Sequence, residues 1–235
     1  MTKKIQLTPS VASANPLFLA EELKAFNKDI ILHMDIEDGT QGKNITFGMK
    51  TTLSAAKLVD NSMDFHLLVR DPSIYYEEIA KLNTRYVFIP LEAITNPMVD
   101  LDQIRMLGMK PALSLTIDTP IDHLKVYVDE IEAVLLLTYG SPRGGVNGLG
   151  FRRVSYERIR ECRQLLRDDQ EIYVDGGVGI EELKESVQCG ADGAILGRVL
   201  FPEAENGLNP GRILMPSERT KTPGEILKEI EEELG

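Results

Sequence analysis

The sequence predicts a single (β/α)8 TIM barrel over residues 1–235, with an irregular excursion at 201–222 before the last helix. Three observations carry that prediction. Short β-branched and apolar runs alternate with longer segments of helical period along the whole chain, the pattern of repeated βα units on a parallel sheet. Eight such units in 235 residues leave about 29 each, which suits a closed barrel better than an open doubly wound sheet. Hydrophobic residues at 43% and charged residues at 27% supply one large core and exclude a disordered chain.

Taken in order, Ile5-Gln6-Leu7 is the first strand (5–7), and Asn15-Pro16 then opens a helix over 16–27, asparagine as cap and proline in the first turn. The apolar run at 30–36 is the second strand, followed by a helix at 51–59. A strand at 63–68 leads to Asp71-Pro72-Ser73, which starts a helix at 73–82. Strands at 86–89, 111–115, 133–137, 171–174 and 191–196 alternate with helices at 98–107, 120–129, 154–167 and 180–189. The last helix, 223–234, is acidic and places Ile226, Leu227, Ile230 and Leu234 on one face. Before it, Pro202, Gly207, Pro210, Gly211 and Pro216 prevent long regular structure, so 201–222 is either a surface connection or a lid over a site.

The formal charge of −11 excludes a broad basic footprint for nucleic acid or anionic lipid, so any anionic ligand must be held locally. Lys3-Lys4 runs straight into a short strand with no apolar leader, and no apolar run approaches about 18 residues, the least a membrane helix needs. The expectation is a cytoplasmic protein that engages neither membrane nor nucleic acid. Cys162 and Cys189 form no C-x-x-C pair and fall in predicted helices, which makes them free thiols rather than a disulfide or a thiolate metal site.

In a barrel of this kind chemistry sits at the carboxyl ends of strands. Alternation along the second strand puts His33 and Asp35 on one face, pointing into the mouth. The third strand adds His66 at the same level, and the seventh adds Asp175. Two imidazoles and two carboxylates can form the inner shell of a divalent transition metal such as Zn, Mn or Fe, able to polarise a carbonyl or stabilise an enediolate. The competing reading makes His33 and His66 satisfied hydrogen-bonding residues and Asp175 the cap of a turn. His123, in the first turn of a predicted helix, reads as surface. Glycine-rich segments follow strands six, seven and eight: Gly144-Gly145 after Arg143, Gly176-Gly177, and Gly197-Arg198. Their N–H groups can cradle a phosphate, which barrels often bind after strands seven and eight.

These residues carry a resemblance. From about Leu7 to Phe201 the chain resembles the ribulose-phosphate 3-epimerase family, through Pro9-Ser10, His33-Met34-Asp35-Ile36-Glu37-Asp38-Gly39, Asn44-Ile45-Thr46-Phe47-Gly48, Asp64-Phe65-His66-Leu67 and Val174-Asp175-Gly176-Gly177-Val178. The resemblance implies that His33, Asp35, His66 and Asp175 are metal ligands, that Asp35 and Asp175 are the acid/base pair, and that Ser10 touches the substrate. It departs from the pattern where typical members carry methionine at the places of Glu37, Leu68 and Leu137. The loop after strand six also differs and is longer at 146–150, and Arg198 replaces a serine.

The expected function is a metal-dependent sugar-phosphate 3-epimerase interconverting D-ribulose 5-phosphate and D-xylulose 5-phosphate. One carboxylate removes the C3 hydrogen to give a cis-enediolate and the other reprotonates the opposite face. Gly144, Gly145, Gly176, Gly177, Gly197 and Arg198 would hold the phosphate. The alternatives are an epimerase of another ketose phosphate, such as a hexulose 6-phosphate, and a non-catalytic barrel that binds a phosphorylated metabolite. The expected partners are a small sugar phosphate and further copies of the chain in a homo-oligomer.

Overall fold

The computed structural model describes residues 5–42, 44–139, 150–201 and 215–234. Eight parallel strands, β1 (Gln6–Pro9), β2 (Leu32–Glu37), β3 (Met63–Leu68), β4 (Thr84–Pro90), β5 (Lys110–Leu115), β6 (Ala133–Leu137), β7 (Glu171–Asp175) and β8 (Gly193–Leu196), pair in the order β1-β8-β7-β6-β5-β4-β3-β2. The remaining seam, between β1 and β2, is crossed by a single parallel bridge, Ser10 to His33. The barrel closes there, at the level where the candidate site begins.

Period-two alternation sorts the side chains into two apolar layers. On β2, Leu32, Met34 and Ile36 face outward and are buried under the helices, while His33 and Asp35 face inward. The lumen is filled by Tyr86, Phe88, Ala112, Leu135, Tyr173 and Ile195, packed as a cluster separate from the outer layer. Each large side chain so buried contributes about 1.5–3 kcal/mol. Polar side chains enter the lumen as well. The Asp64 carboxylate accepts from the Arg85 guanidinium and, at 3.1 Å, from the Tyr86 N–H.

Outside the barrel run α1 (Leu19–Lys24), α2 (Met49–Leu58), α3 (Ser73–Ile79), α4 (Pro97–Met106), α5 (Val154–Leu165), α6 (Ile180–Gln188) and α7 (Pro223–Leu234). Two expected helices take another form. The one expected over 16–27 begins as a 3-10 turn, Pro16–Phe18, and becomes α-helical only at Leu19. That expected over 120–129 is two 3-10 turns, Ile121–Val126 and Val128–Glu130. Its buried residues, Ile121 and Leu124, are three apart, one full turn at three residues per turn. His123 is exposed there, and both cysteines are buried free thiols. Of the excursion, 202–214 lie outside the described residues. At its far end the Arg219 guanidinium donates to both Glu22 oxygens at 2.5 and 2.7 Å, which ties the approach of α7 to α1. Among the described residues no helix is long and apolar enough to cross a membrane.

Candidate active site

The carboxyl ends of β1, β2, β3, β5 and β7 converge on Asp35. Its Oδ1 lies 3.1 Å from His33 Nε2 and 3.2 Å from His66 Nδ1, and its Oδ2 accepts from Ser10 Oγ at 2.8 Å. His66 Nε2 meets Ser114 Oγ at 2.9 Å. Backbone bonds hold the end of β2 in place: Thr46 Oγ1 donates to the Asp35 carbonyl at 2.7 Å and accepts from the Glu37 N–H at 3.0 Å. One ligand atom from each of His33, Asp35 and His66 fits within 4.8 Å, and all three residues are buried. Asp175 stands apart from that compact group at the end of β7. Its carbonyl accepts from the Thr138 N–H at 2.8 Å and hydroxyl at 2.9 Å.

His33 speaks against a purely structural role for the pair of imidazoles. Both of its ring nitrogens are buried; Nδ1 has no hydrogen-bond partner and Nε2 meets only the Asp35 carboxylate, at 3.1 Å. Burying an unpaired polar group is costly, and a cation between the imidazoles and Asp35 would relieve that cost. The donor set, two nitrogens and a carboxylate oxygen, fits a divalent transition metal.

The electrostatics separate the members. Burial opposes ionisation of Asp35, but the charges and hydrogen bonds of His33 and His66 outweigh it and hold the carboxyl well below the usual range. Burial and then the Asp35 charge push Asp175 the other way, above the ordinary carboxylate range. For His33 burial is outweighed by Asp35 and, further off, Asp175, so its pKa rises; for His66 burial wins and its pKa falls. Two carboxylates in one mouth therefore occupy opposite protonation regimes.

Above this centre Glu37 follows Asp35 on the inward face, where burial and the Asp35 charge raise its carboxyl to about 7 against a hydrogen bond from Asn44. Tyr139 lies over Gly176, and a Cβ there would run into its ring. Gly176 (φ 112°) and Gly177 (φ 68°) both adopt the left-handed region. Around Gly177 three loops meet: the position of a Cβ would lie 2.8 Å from Phe151 N and 3.3 Å from Arg198 Nη2. Arg198 is thus exposed but folded back toward Gly177. Gly197 packs closely on Ser13. Gly144 and Gly145, with Arg143, lie outside the described residues. Sequence reasoning missed Ser114, Thr138, Tyr139 and the role of Thr46. A serine at an inward position of the otherwise apolar Pro111-Ala112-Leu113-Ser114-Leu115 was a usable signal; Tyr139 offered none.

A (β/α)8 barrel with histidines and carboxylates gathered at its carboxyl mouth has the design of a barrel enzyme. Comparison with known proteins makes that specific. Residues 6–201 match the ribulose-phosphate 3 epimerase family, and the chain belongs to that family, as an epimerase of the isomerase class. It is 30% identical to the ribulose-phosphate 3-epimerase of Synechocystis sp., over 86% of this chain and 89% of that one. The one from Methanocaldococcus jannaschii is 27% identical over 84% of each chain. The cytoplasmic isoform of Oryza sativa is 31% identical over 75% and 77%. Among solved structures, a variant tryptophan synthase alpha-subunit from Pyrococcus furiosus superposes with a TM-score of 0.66 at 17% identity, covering 100% of this chain and 99% of that one. Orotidine 5'-phosphate decarboxylase from Pyrococcus horikoshii gives 0.64 at 14% identity, covering 97% and 98%. These two share the fold.

Proposed function

We propose that this protein epimerises a ketose phosphate at C3, with D-ribulose 5-phosphate and D-xylulose 5-phosphate as the interconverted pair, as the names of its relatives suggest. The observation that carries the reading is the pairing of Asp35 and Asp175, two carboxyls in one mouth held on opposite sides of the ordinary pKa range. Epimerisation needs one group to take the C3 proton and another to return one from the opposite face. Asp35 and Asp175 serve as base and acid, and the roles exchange in the reverse direction. Ser10 Oγ and the two imidazoles orient Asp35, and Thr138 anchors the end of β7 beneath Asp175.

His33, Asp35 and His66, with Asp175 as a fourth ligand, would hold a divalent transition metal, which when bound supplies positive charge where oxygen becomes anionic. Gly176, Gly177, Gly197 and Arg198 would receive the phosphate, together with Gly144 and Gly145, and Ser10 would border the sugar. The same reading takes residues 1–235 as one domain working as a cytoplasmic homo-oligomer. In D2O, wild-type protein given either pentulose phosphate should place deuterium at C3 and form the other epimer, and Asp35→Asn and Asp175→Asn should each abolish epimerisation. Near-normal turnover in either variant would overturn the two-carboxylate mechanism.

A further inference from the structure

The mouth has a second side that the proton chemistry does not use. A cavity opens between the ends of β2 and β6, walled by Glu37, Leu68, Glu92, Ser114, Leu137 and Tyr139. The glycine loops with Arg198 follow β7 and β8 and border the cavity where Tyr139 lies over Gly176, while the rest of its wall, at the ends of β2 to β5, lies on the far side of the mouth. A ketose phosphate with its phosphate over β7 and β8 and C3 between the carboxylates must point its other end, C1, into this cavity.

Leu68 and Leu137 suit the carbon atoms there, and Glu37 stands beside them. Its backbone is fixed on both sides by Thr46, through the Glu37 N–H at 3.0 Å and the Glu37 carbonyl, which accepts from the Thr46 N–H at 3.2 Å. The other carboxylate of the wall is already engaged: Glu92 Oε1 accepts from the Thr116 N–H at 2.8 Å and from the hydroxyls of Thr116 and Thr119. Glu37 takes one hydrogen bond, from Asn44, and its two carboxyl oxygens leave further acceptor sites to face the ligand.

We propose that Glu37 is the specificity-determining residue for the C1 end of the substrate, accepting a hydrogen bond from the C1 hydroxyl and so selecting ketose phosphates with a hydroxymethyl group at C1. The inference rests on the epimerase reading. A site built to bond a hydroxyl rejects the analogue that lacks it, because the buried acceptor is then left unpaired. The test compares D-xylulose 5-phosphate with 1-deoxy-D-xylulose 5-phosphate, which carries a methyl group at that end, by the rate of C3 deuterium exchange in D2O. Wild-type kcat/KM should favour the hydroxylated ketose by about 10-fold, the worth of one buried hydrogen bond. Glu37→Leu should bring the ratio close to one, and Glu37→Gln, which keeps an acceptor, should retain part of it. Because the ratio is taken within one preparation, partial loss of folded protein does not alter it. Equal kcat/KM for the two ketoses in wild type, or an unchanged ratio in Glu37→Leu, overturns this inference alone. Exchange with neither overturns the epimerase reading and this inference with it.

Discussion

His33 is the residue whose surroundings are hardest to explain without a ligand. Buried ring nitrogens are normally satisfied, yet His33 has no partner at Nδ1 and only the Asp35 carboxylate at Nε2, while His66 a strand away has both Asp35 and Ser114. If His33 were structural, replacing it would cost its packing against Phe88 and its contact with Asp35, and would leave metal binding unchanged. As a metal ligand it makes a different prediction. Wild-type protein stripped of metal should be stabilised on adding Zn or Mn by about 2.7 kcal/mol when the ion is at a hundredfold excess over its Kd. His33→Ala should gain almost none of this in thermal unfolding, and should purify with far less metal by elemental analysis. A full complement of metal in His33→Ala would remove His33 from the site. The sequence showed that His33 and Asp35 share the inward face of β2, because strand alternation is enough for that, and the register then sets His66 beside Asp35. It could not show the missing partner, since whether a ring nitrogen is bonded depends on where Ser10, Ser114 and Phe88 arrive from other strands.

At the scale of elements, all eight strands and most helices were legible from period and composition, and the 3-10 form of two helical segments was not. The segment at 120–129 has apolar residues that serve either helical period, and only the barrel wall it covers selects the 3-10 form. The turn after β7 is the opposite case, since Gly176-Gly177 announces a left-handed turn but not the tyrosine lying over it. Gly176 and Gly108 separate backbone conformation from contact. Both have positive φ, 112° and 83°, but a Cβ at Gly108 would meet nothing within 4 Å while one at Gly176 would strike Tyr139. Gly108→Ala should therefore cost about 1–2 kcal/mol, the penalty of a left-handed residue. Gly176→Ala should add about 1–3 kcal/mol more for the displaced ring, and should lower kcat/KM because Tyr139 walls the mouth. Equal losses of stability in urea denaturation would mean that Tyr139 moves aside freely and does not help define the site.

Over the whole molecule the barrel is organised along its axis, with chemistry at one end of the lumen and a sealed ion pair at the other. Asp64 and His66 stand on the same inward face of β3, two residues apart, yet Asp64 is matched below by Arg85 while His66 opens on the site. Arg85 also lies 4.4 Å from the centre of the Tyr86 ring and 5.3 Å from that of Tyr173, and both tyrosines donate to Glu171 on β7. This lower plug joins β3, β4 and β7 across the barrel. Residues so far apart in the chain carry no local signal, so the sequence showed Asp64 only as part of a motif. The Asp64 side chain is 0% exposed, so removing its partner leaves a buried charge unmatched. Arg85→Leu should therefore cost about 3–5 kcal/mol in chemical denaturation, as should Asp64→Leu. The double replacement should cost well under the sum of the two, because it removes both charges and fills the space with carbon. The site is at the other end of the lumen, so KM for the ketose phosphate should stay unchanged in whatever fraction remains folded. Additive losses in the double variant would show that the two residues act separately and that the plug is not a unit.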